Sequence, residues 1–390
     1  MKAKAILILL FIFIINTLFF SYSTFSQSET AIPSIMRLEQ GWEYQWVDSL
    51  TEDTGIPETG WLSTDNVKEL DEPRNSSEIL YLRNTIPSNG WKDPALFISF
   101  MYGTFEVYQG ETLVYKYGAI PETKTITYKG YNRRHFIELD AASPSNQITI
   151  RSYSNGNLIG VAGAVSIGSY SAYLTQMFQD DFDKIVIGSI LVFIAFTALG
   201  FFFIKRFAGL YFGFAAMALC AALYTLSLSG SKQLIFDYSY IWIYVFQLAV
   251  YFRSAFDFFV IDKLFGPGYK KIVRRIWQLH VTLATIAFIL SLVNPDFFTY
   301  TKGVFEKLSA FEVLIAFIIV IRLFLKSMEG KLFALGYMAM AGFMVRDLLV
   351  FTGVLYLDRF YLLGHIGQFA LVVAVGIILI MRHREVRSFR

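Results

Sequence analysis

Ile185-Val186-Ile187-Gly188-Ser189-Ile190-Leu191-Val192-Phe193-Ile194-Ala195-Phe196-Thr197-Ala198-Leu199-Gly200-Phe201-Phe202-Phe203-Ile204 is a run of apolar and small residues with no ionisable side chain, closed by Lys205-Arg206. At 1.5 Å per residue a helix of this length spans a hydrocarbon layer of about 30 Å. Six more segments of similar make-up follow: Phe207–Leu228, Tyr240–Ile261, Ile276–Val293, Leu308–Leu325, Leu332–Leu355 and Tyr361–Met381. The connections are short, and their basic residues are unevenly placed. Lys205 and Arg206; Lys263, Lys270, Lys271, Arg274 and Arg275; Arg322, Lys326 and Lys331; and Arg382, Arg384, Arg387 and Arg390 all fall on one side. The opposite side holds Lys232, Lys302, Lys307 and Arg359. Lys and Arg concentrate in cytoplasmic loops, so seven spans with the N-terminal part outside and the C-terminus inside are expected.

Composition agrees with a membrane protein. Hydrophobic residues make up 55% of the chain and charged residues 17%, and the net charge is +3. That charge reflects the inner loops. No basic stripe interleaved with aromatics stands outside the membrane part, which argues against nucleic acid as a partner. The single cysteine, Cys220, lies in an apolar segment, so the external part must be held by packing and not by disulfides. Residues 1–26 read as a secretory signal peptide: Lys2 and Lys4, an apolar run from Ala5 to Phe20, then Thr24 and Ser26 before the cleavage point. An uncleaved anchor helix is the alternative reading.

Residues 33–175 have a different texture, rich in Gly, Asn, Ser and Thr. β-Prone runs at Trp42–Val47, Ile79–Ile86, Leu96–Phe100, Thr104–Tyr108, Thr112–Tyr117, Lys124–Tyr128, His135–Leu139 and Gln147–Tyr153 are parted by turn signals such as Gln109-Gly110-Glu111. A spacing of about 8–12 residues predicts an all-β sandwich of about eight strands. The acidic residues are scattered and His135 is the only histidine here, so the sequence offers no glycosidase carboxylate pair, catalytic triad, metal cluster or cofactor site. A ligand would be held by stacking aromatics and polar loop groups. Trp61 and Trp91 (beside Gly60 and Gly90), Tyr102, Tyr131, Arg133 and Arg134 are the candidates. Trp42 and Trp46 read as core anchors, and Arg133-Arg134 reads equally as a solvated turn. Asn75-Ser76-Ser77 has the form of a glycosylation acceptor.

Ionisable residues within spans are costly and mark function or structural pairing. Arg253 and Asp257, four apart, share one face of the third span. Consecutive Arg346 and Asp347 on the sixth are expected to point apart, leaving Glu312 on the fifth as a partner for Arg346. These five form the expected intramembrane polar core, while His280 and His365 read as packing or interfacial residues. No Pro falls within a span and no repeat joins the span glycines, so the inverted halves of many transporters are not visible.

Tyr81-Leu82-Arg83-Asn84, Phe105–Val114 with Tyr117-Gly118, Gln147–Ser154 and the closing Gly160–Gly168 resemble the galactose-binding-like jelly roll. The whole order of parts resembles the bacterial seven-transmembrane receptors with diverse intracellular signalling modules. The most similar stretches are Phe265-Gly266-Pro267-Gly268-Tyr269-Lys270-Lys271, Leu363-Gly364-His365-Ile366-Gly367-Gln368-Phe369 and Met381-Arg382-His383-Arg384. The resemblance implies a signal peptide over 1–26, a jelly-roll ectodomain over 33–175, a seven-transmembrane domain over 183–384 and a basic tail over 385–390. It implies a non-enzymatic sensor in a cell membrane that binds a small molecule outside, with carbohydrate as a candidate class. The signal would pass to a cytoplasmic signalling protein or to an output domain beyond the tail, because only Arg382–Arg390 follows the last span. A second copy of the chain is a further partner compatible with this plan. A transporter or pore with a substrate-capturing domain is the alternative; an anchored external enzyme is a third reading.

Overall fold

A computed structural model describes residues 34–47, 55–68, 70, 79–87, 90–118, 133–154, 159–203, 208–294, 296–351 and 362–388. The leader over 1–26, the strand expected over Lys124–Tyr128, the acceptor at Asn75 and the candidate Tyr131 lie outside these residues. The chain divides into two compact units. One holds the sheets up to Phe182 together with Gly230–Ile243; the other holds Asp183–Ser229 and the chain from Tyr244 onward.

In the first unit twelve antiparallel strands are described: β1 (Ile35–Arg37), β2 (Trp42–Val47), β3 (Leu62–Thr64), β4 (Ile79–Thr85), β5 (Pro94–Ile98), β6 (Met101–Tyr102), β7 (Thr104–Gln109), β8 (Thr112–Tyr117), β9 (His135–Glu138), β10 (Gln147–Tyr153), β11 (Gly160–Val161) and β12 (Val165–Ser169). They form a six-stranded sheet in the order β3-β2-β4-β10-β7-β8, a four-stranded sheet in the order β1-β12-β5-β9, and a small β11-β6 pair. Side chains alternate between faces along each strand. Trp42 and Tyr44 of β2, Leu80 and Leu82 of β4, Ile148 and Ile150 of β10, and Phe105 and Val107 of β7 therefore share one face of the larger sheet. They meet Leu96, Ile98, Ile137 and Ile167 from the smaller sheet in a single core. This is a sandwich, with Trp42 about 1% exposed and its indole N–H bonded to the Leu38 carbonyl at 2.8 Å. The expected hairpin over Glu106–Val114 is present. Gln109 faces Thr112 across the two-residue loop Gly110-Glu111, and Gly110 takes the positive φ (60°) that this tight turn requires.

The second unit is helical: α1 (Tyr170–Phe202, beginning in the first unit), α2 (Ala208–Leu228), α3 (Lys232–Ile235, within the first unit), α4 (Ser239–Phe265), α5 (Ile272–Val293), α6 (Asp296–Phe324), α7 (Met328–Phe351) and α8 (Gly364–Ser388). Among the described residues six helices are long and apolar enough to cross a membrane, so this is the make-up of a multi-pass membrane protein. Their outward faces carry bare apolar side chains such as Phe193, Phe196, Leu279, Ile286 and Leu348. α6 contains nearly all of the fifth expected span but is not among the six. Its 29 residues include Lys302, Glu306, Lys307, Glu312 and Arg322, which dilute the apolar run. Charged staples link the basic ends of the helices. Arg274 of α5 grips buried Asp262 of α4 through two bonds (3.1 and 3.2 Å). Arg382 of α8 does the same to Glu329 of α7 (2.9 and 2.6 Å).

Candidate functional site

The sandwich unit includes a segment that comes from between two apolar helices. Residues 230–243 connect α2 to α4, yet they pack with the sheets. Arg133 and Arg134, immediately before β9, make the attachment. Arg133 pairs with Asp237, and its guanidinium stands 5.2 Å from the Tyr117 ring. The Arg134 backbone N–H donates to Gln233 Oε1 (3.1 Å), and Gln233 Nε2 donates back to the Arg134 carbonyl (2.8 Å). Asp181 on the first turns of α1 is fully buried; its Oδ2 accepts the Ser231 N–H (2.9 Å) and hydroxyl (3.0 Å), and Arg134 stands 3.7 Å from its Oδ1. Gly230 permits this approach, since a Cβ there would lie 2.7 Å from Arg134 Nε. Burial pushes Lys232 down to about 8, with Asp181 pulling it up and Arg134 pushing it down. His135 lies beneath the joint, against Tyr115 Oη at 3.0 Å. Burial, and then the Arg133 charge, push its pKa down to about 3, so it stays neutral.

The other external candidates lie at separate places. Trp61 is half-buried on the outer face of the six-stranded sheet; it donates to the Pro57 carbonyl (2.9 Å), and the Arg83 guanidinium lies 4.0 Å from its ring centre. Trp91 packs against the sandwich core, with its indole nitrogen buried. Tyr102 sits on the small β6–β11 pair, edge-on to Phe100. Among the described candidates, the structure places Arg133 and Arg134 together.

Within the helices the pairing differs from the expected one. Glu312 of α6 turns to His280 of α5, not to Arg346. Its Oε1 lies 2.7 Å from His280 Nδ1, and its other oxygen accepts the Ser254 hydroxyl of α4. His280 Nε2 faces the Tyr251 carbonyl at 2.8 Å and must donate to it, so one proton is left to sit between Nδ1 and Glu312. Both side chains are within 2% of full burial. Arg346 and Asp347, expected to diverge, bond to each other at 2.8 Å. Asp347 also accepts the Leu363 and Gly364 N–H groups (2.9 and 2.6 Å), satisfying free amides at the start of α8. Arg253 directs its guanidinium to the sulfurs of Met340 (3.0 Å) and Met344 (3.2 Å), while Asp257 lies half-buried one turn along. His365 of α8 meets Asp183 of α1 at 2.7 Å. The two histidines, which read from sequence as packing or interfacial residues, thus each meet a carboxylate. Among the described residues, no group of three or more His, Cys, Asp or Glu could hold a metal.

No family model matches the chain, and no curated protein is detectably similar to it. Among solved structures, a glycosyl hydrolase family 2 member from Bacteroides cellulosilyticus aligns at 10% identity and a TM-score of 0.26, over 35% of this chain and 20% of that one. Faecalibacterium prausnitzii β-glucuronidase aligns at 9% and 0.26, over 37% and 32%. Ruminococcus gnavus β-glucuronidase aligns at 8% and 0.24, over 36% and 30%. The chain spans a third or less of these enzymes, and likenesses this slight fix neither fold nor activity.

Proposed function

We propose that the chain is a seven-span membrane sensor of the kind its sequence resembles, with the sandwich outside and the basic helix ends in the cytoplasm. The observation that carries this reading is the joint. A segment running between two apolar helices is bonded to the sandwich by Arg133–Asp237 and Arg134–Gln233, and to α1 by Asp181–Ser231. A sandwich held this way biases whatever the flanking helices do, whereas a tethered enzyme or capture domain has no need of it. α6, which holds the fifth expected span, completes the seven. Its Glu312 is neutralised inside the protein by His280 and Ser254, which is how an ionisable residue is tolerated at membrane depth. A ligand on the sandwich would act by unequal affinity for two arrangements of the helices.

The His280–Glu312 pair also favours a second reading, since buried carboxylate–imidazole pairs suit proton-coupled transport. Uptake of labelled sugars and organic acids into vesicles bearing the full chain separates the two. The sensor reading expects uptake no faster than in empty vesicles; saturable uptake abolished by Glu312→Gln would overturn it.

A further inference from the structure

The outer face of the six-stranded sheet carries a feature that packing does not explain. Register places Gln45, Tyr81, Arg151, Glu106 and Lys116 side by side across five strands. In the next row Arg83 stands opposite Thr149. All of these point away from the sandwich core, because their neighbours Leu82, Ile150 and Val107 point into it. The row is graded from floor to rim. Thr149 is fully buried and the Glu106 side chain is 7% exposed, whereas those of Arg151, Arg83 and Lys116 are 19%, 23% and 51% exposed.

Most of the charges here are matched. Glu106 takes Lys116 at 2.8 Å and the Tyr108 hydroxyl at 2.9 Å; although burial works against its charge, these partners hold its carboxyl below the usual range. Arg83 pairs with Glu43. Arg151 is held more loosely: it pairs with Glu106 at 3.6 Å, longer than a hydrogen bond, it acts on the Tyr81 and Tyr108 hydroxyls, and its Nε is buried without a partner. Beside it the Thr149 hydroxyl, the Thr104 hydroxyl and Gln45 Oε1 are also buried and unpartnered. Native proteins rarely leave such groups unmatched, and here four lie on one face of one sheet. Counting Arg83, Arg151 and Lys116 against Glu43 and Glu106, the face has one positive charge in excess.

We propose that this face binds a small hydroxylated carboxylate. Its carboxylate would face the Arg151 guanidinium and its unpartnered Nε, a group whose shape suits two parallel bonds. Its hydroxyls would donate to Gln45 Oε1 and exchange bonds with Thr149. This deepens the sensor reading by assigning the ligand class and the place where the ligand sits, but binding there does not depend on signalling.

The test is calorimetry on the full chain in nanodiscs with three matched pairs: gluconate and sorbitol, galacturonate and galactose, glycerate and glycerol. At least one acid should bind tenfold or more tightly than its neutral partner. Arg151→Gln should weaken that acid at least tenfold, Arg151→Lys should weaken it less, and Thr149→Val should weaken both members of the pair. If none of the acids binds at millimolar concentration, or if acid binding ignores Arg151→Gln in a chain with unchanged tryptophan emission, the site is wrong. Acid binding that leaves the helices unchanged would keep the site and sink the sensor reading.

Discussion

Replacing Asp181 should loosen the segment between α2 and α4, which this residue ties to α1 and, through Arg134, to the sandwich. Its carboxylate is fully buried, accepts two bonds from Ser231 and faces Arg134 at 3.7 Å, with Lys232 also in its field. Hydrogen bonds to a charged group are worth about 1.5–3 kcal/mol each, and removing one partner of a buried pair costs about 3–5 kcal/mol. Asp181→Asn keeps the shape and a weaker acceptor but removes the negative charge that faces Arg134, so about 3 kcal/mol is expected, the low end of that range. Amide hydrogen exchange of the full chain in nanodiscs reads this locally. A loss of about 3 kcal/mol speeds exchange in residues 230–238 by about a hundredfold, with the β4 and β10 amides unchanged. Exchange within threefold of the parent would refute the claim that this carboxylate holds the segment.

Two further outcomes follow from buried histidines. His135 is held neutral down to about pH 3, while in the unfolded chain it titrates near 6.5. Its folded pKa is depressed, so acidification favours the unfolded state from about pH 6.5 downward. The sandwich should lose about 2 kcal/mol by pH 5 from this residue alone. His135→Phe should flatten that slope in tryptophan-monitored unfolding, and an unchanged slope would rule His135 out as its source. In the helices, His280→Ala strands Glu312 with Ser254 alone and frees the Tyr251 carbonyl. About 2 kcal/mol should be lost in detergent-titrated unfolding, against a bond worth of about 0.6–2 kcal/mol for side chains in membranes; no change would show that the pair is not a clamp between α4, α5 and α6.

What the sequence made legible was whatever its local pattern expresses. Alternation in Trp42–Val47 and Gln147–Tyr153 requires only neighbouring residues, and both are strands; so does the Gly110 hairpin. β1, β3 and β6 were not legible because two or three residues carry no period. Apolar length announced seven spans; six described helices are long and apolar enough to cross a membrane, while the charges of α6 dilute the fifth. Pairings were the hidden part. Glu312 finds its partner 32 residues back, Asp183 finds His365 across 182 residues, and Arg133 finds Asp237 across 104, in another loop. A lone histidine in an apolar run shows nothing of such partners. Asp347 was legible as a buried charge, but its bonds to the α8 amides depend on how the chain returns at Leu363.

The central claim, that the state of the sandwich is felt by the helices, is tested most directly by a fluorine label at the far end of α8. In a Cys220→Ser, Arg384→Cys chain in nanodiscs, fluorine NMR reports the populations of the helical arrangements. Coupling between sites is typically about 1–3 kcal/mol, a change of about 5- to 150-fold in a population ratio. The account predicts that Asp181→Asn, and Arg134→Ala from the β side of the joint, each shift the ratio of resonances at least fivefold. Spectra that superimpose on the parent, while hydrogen exchange shows residues 230–243 released, would contradict it.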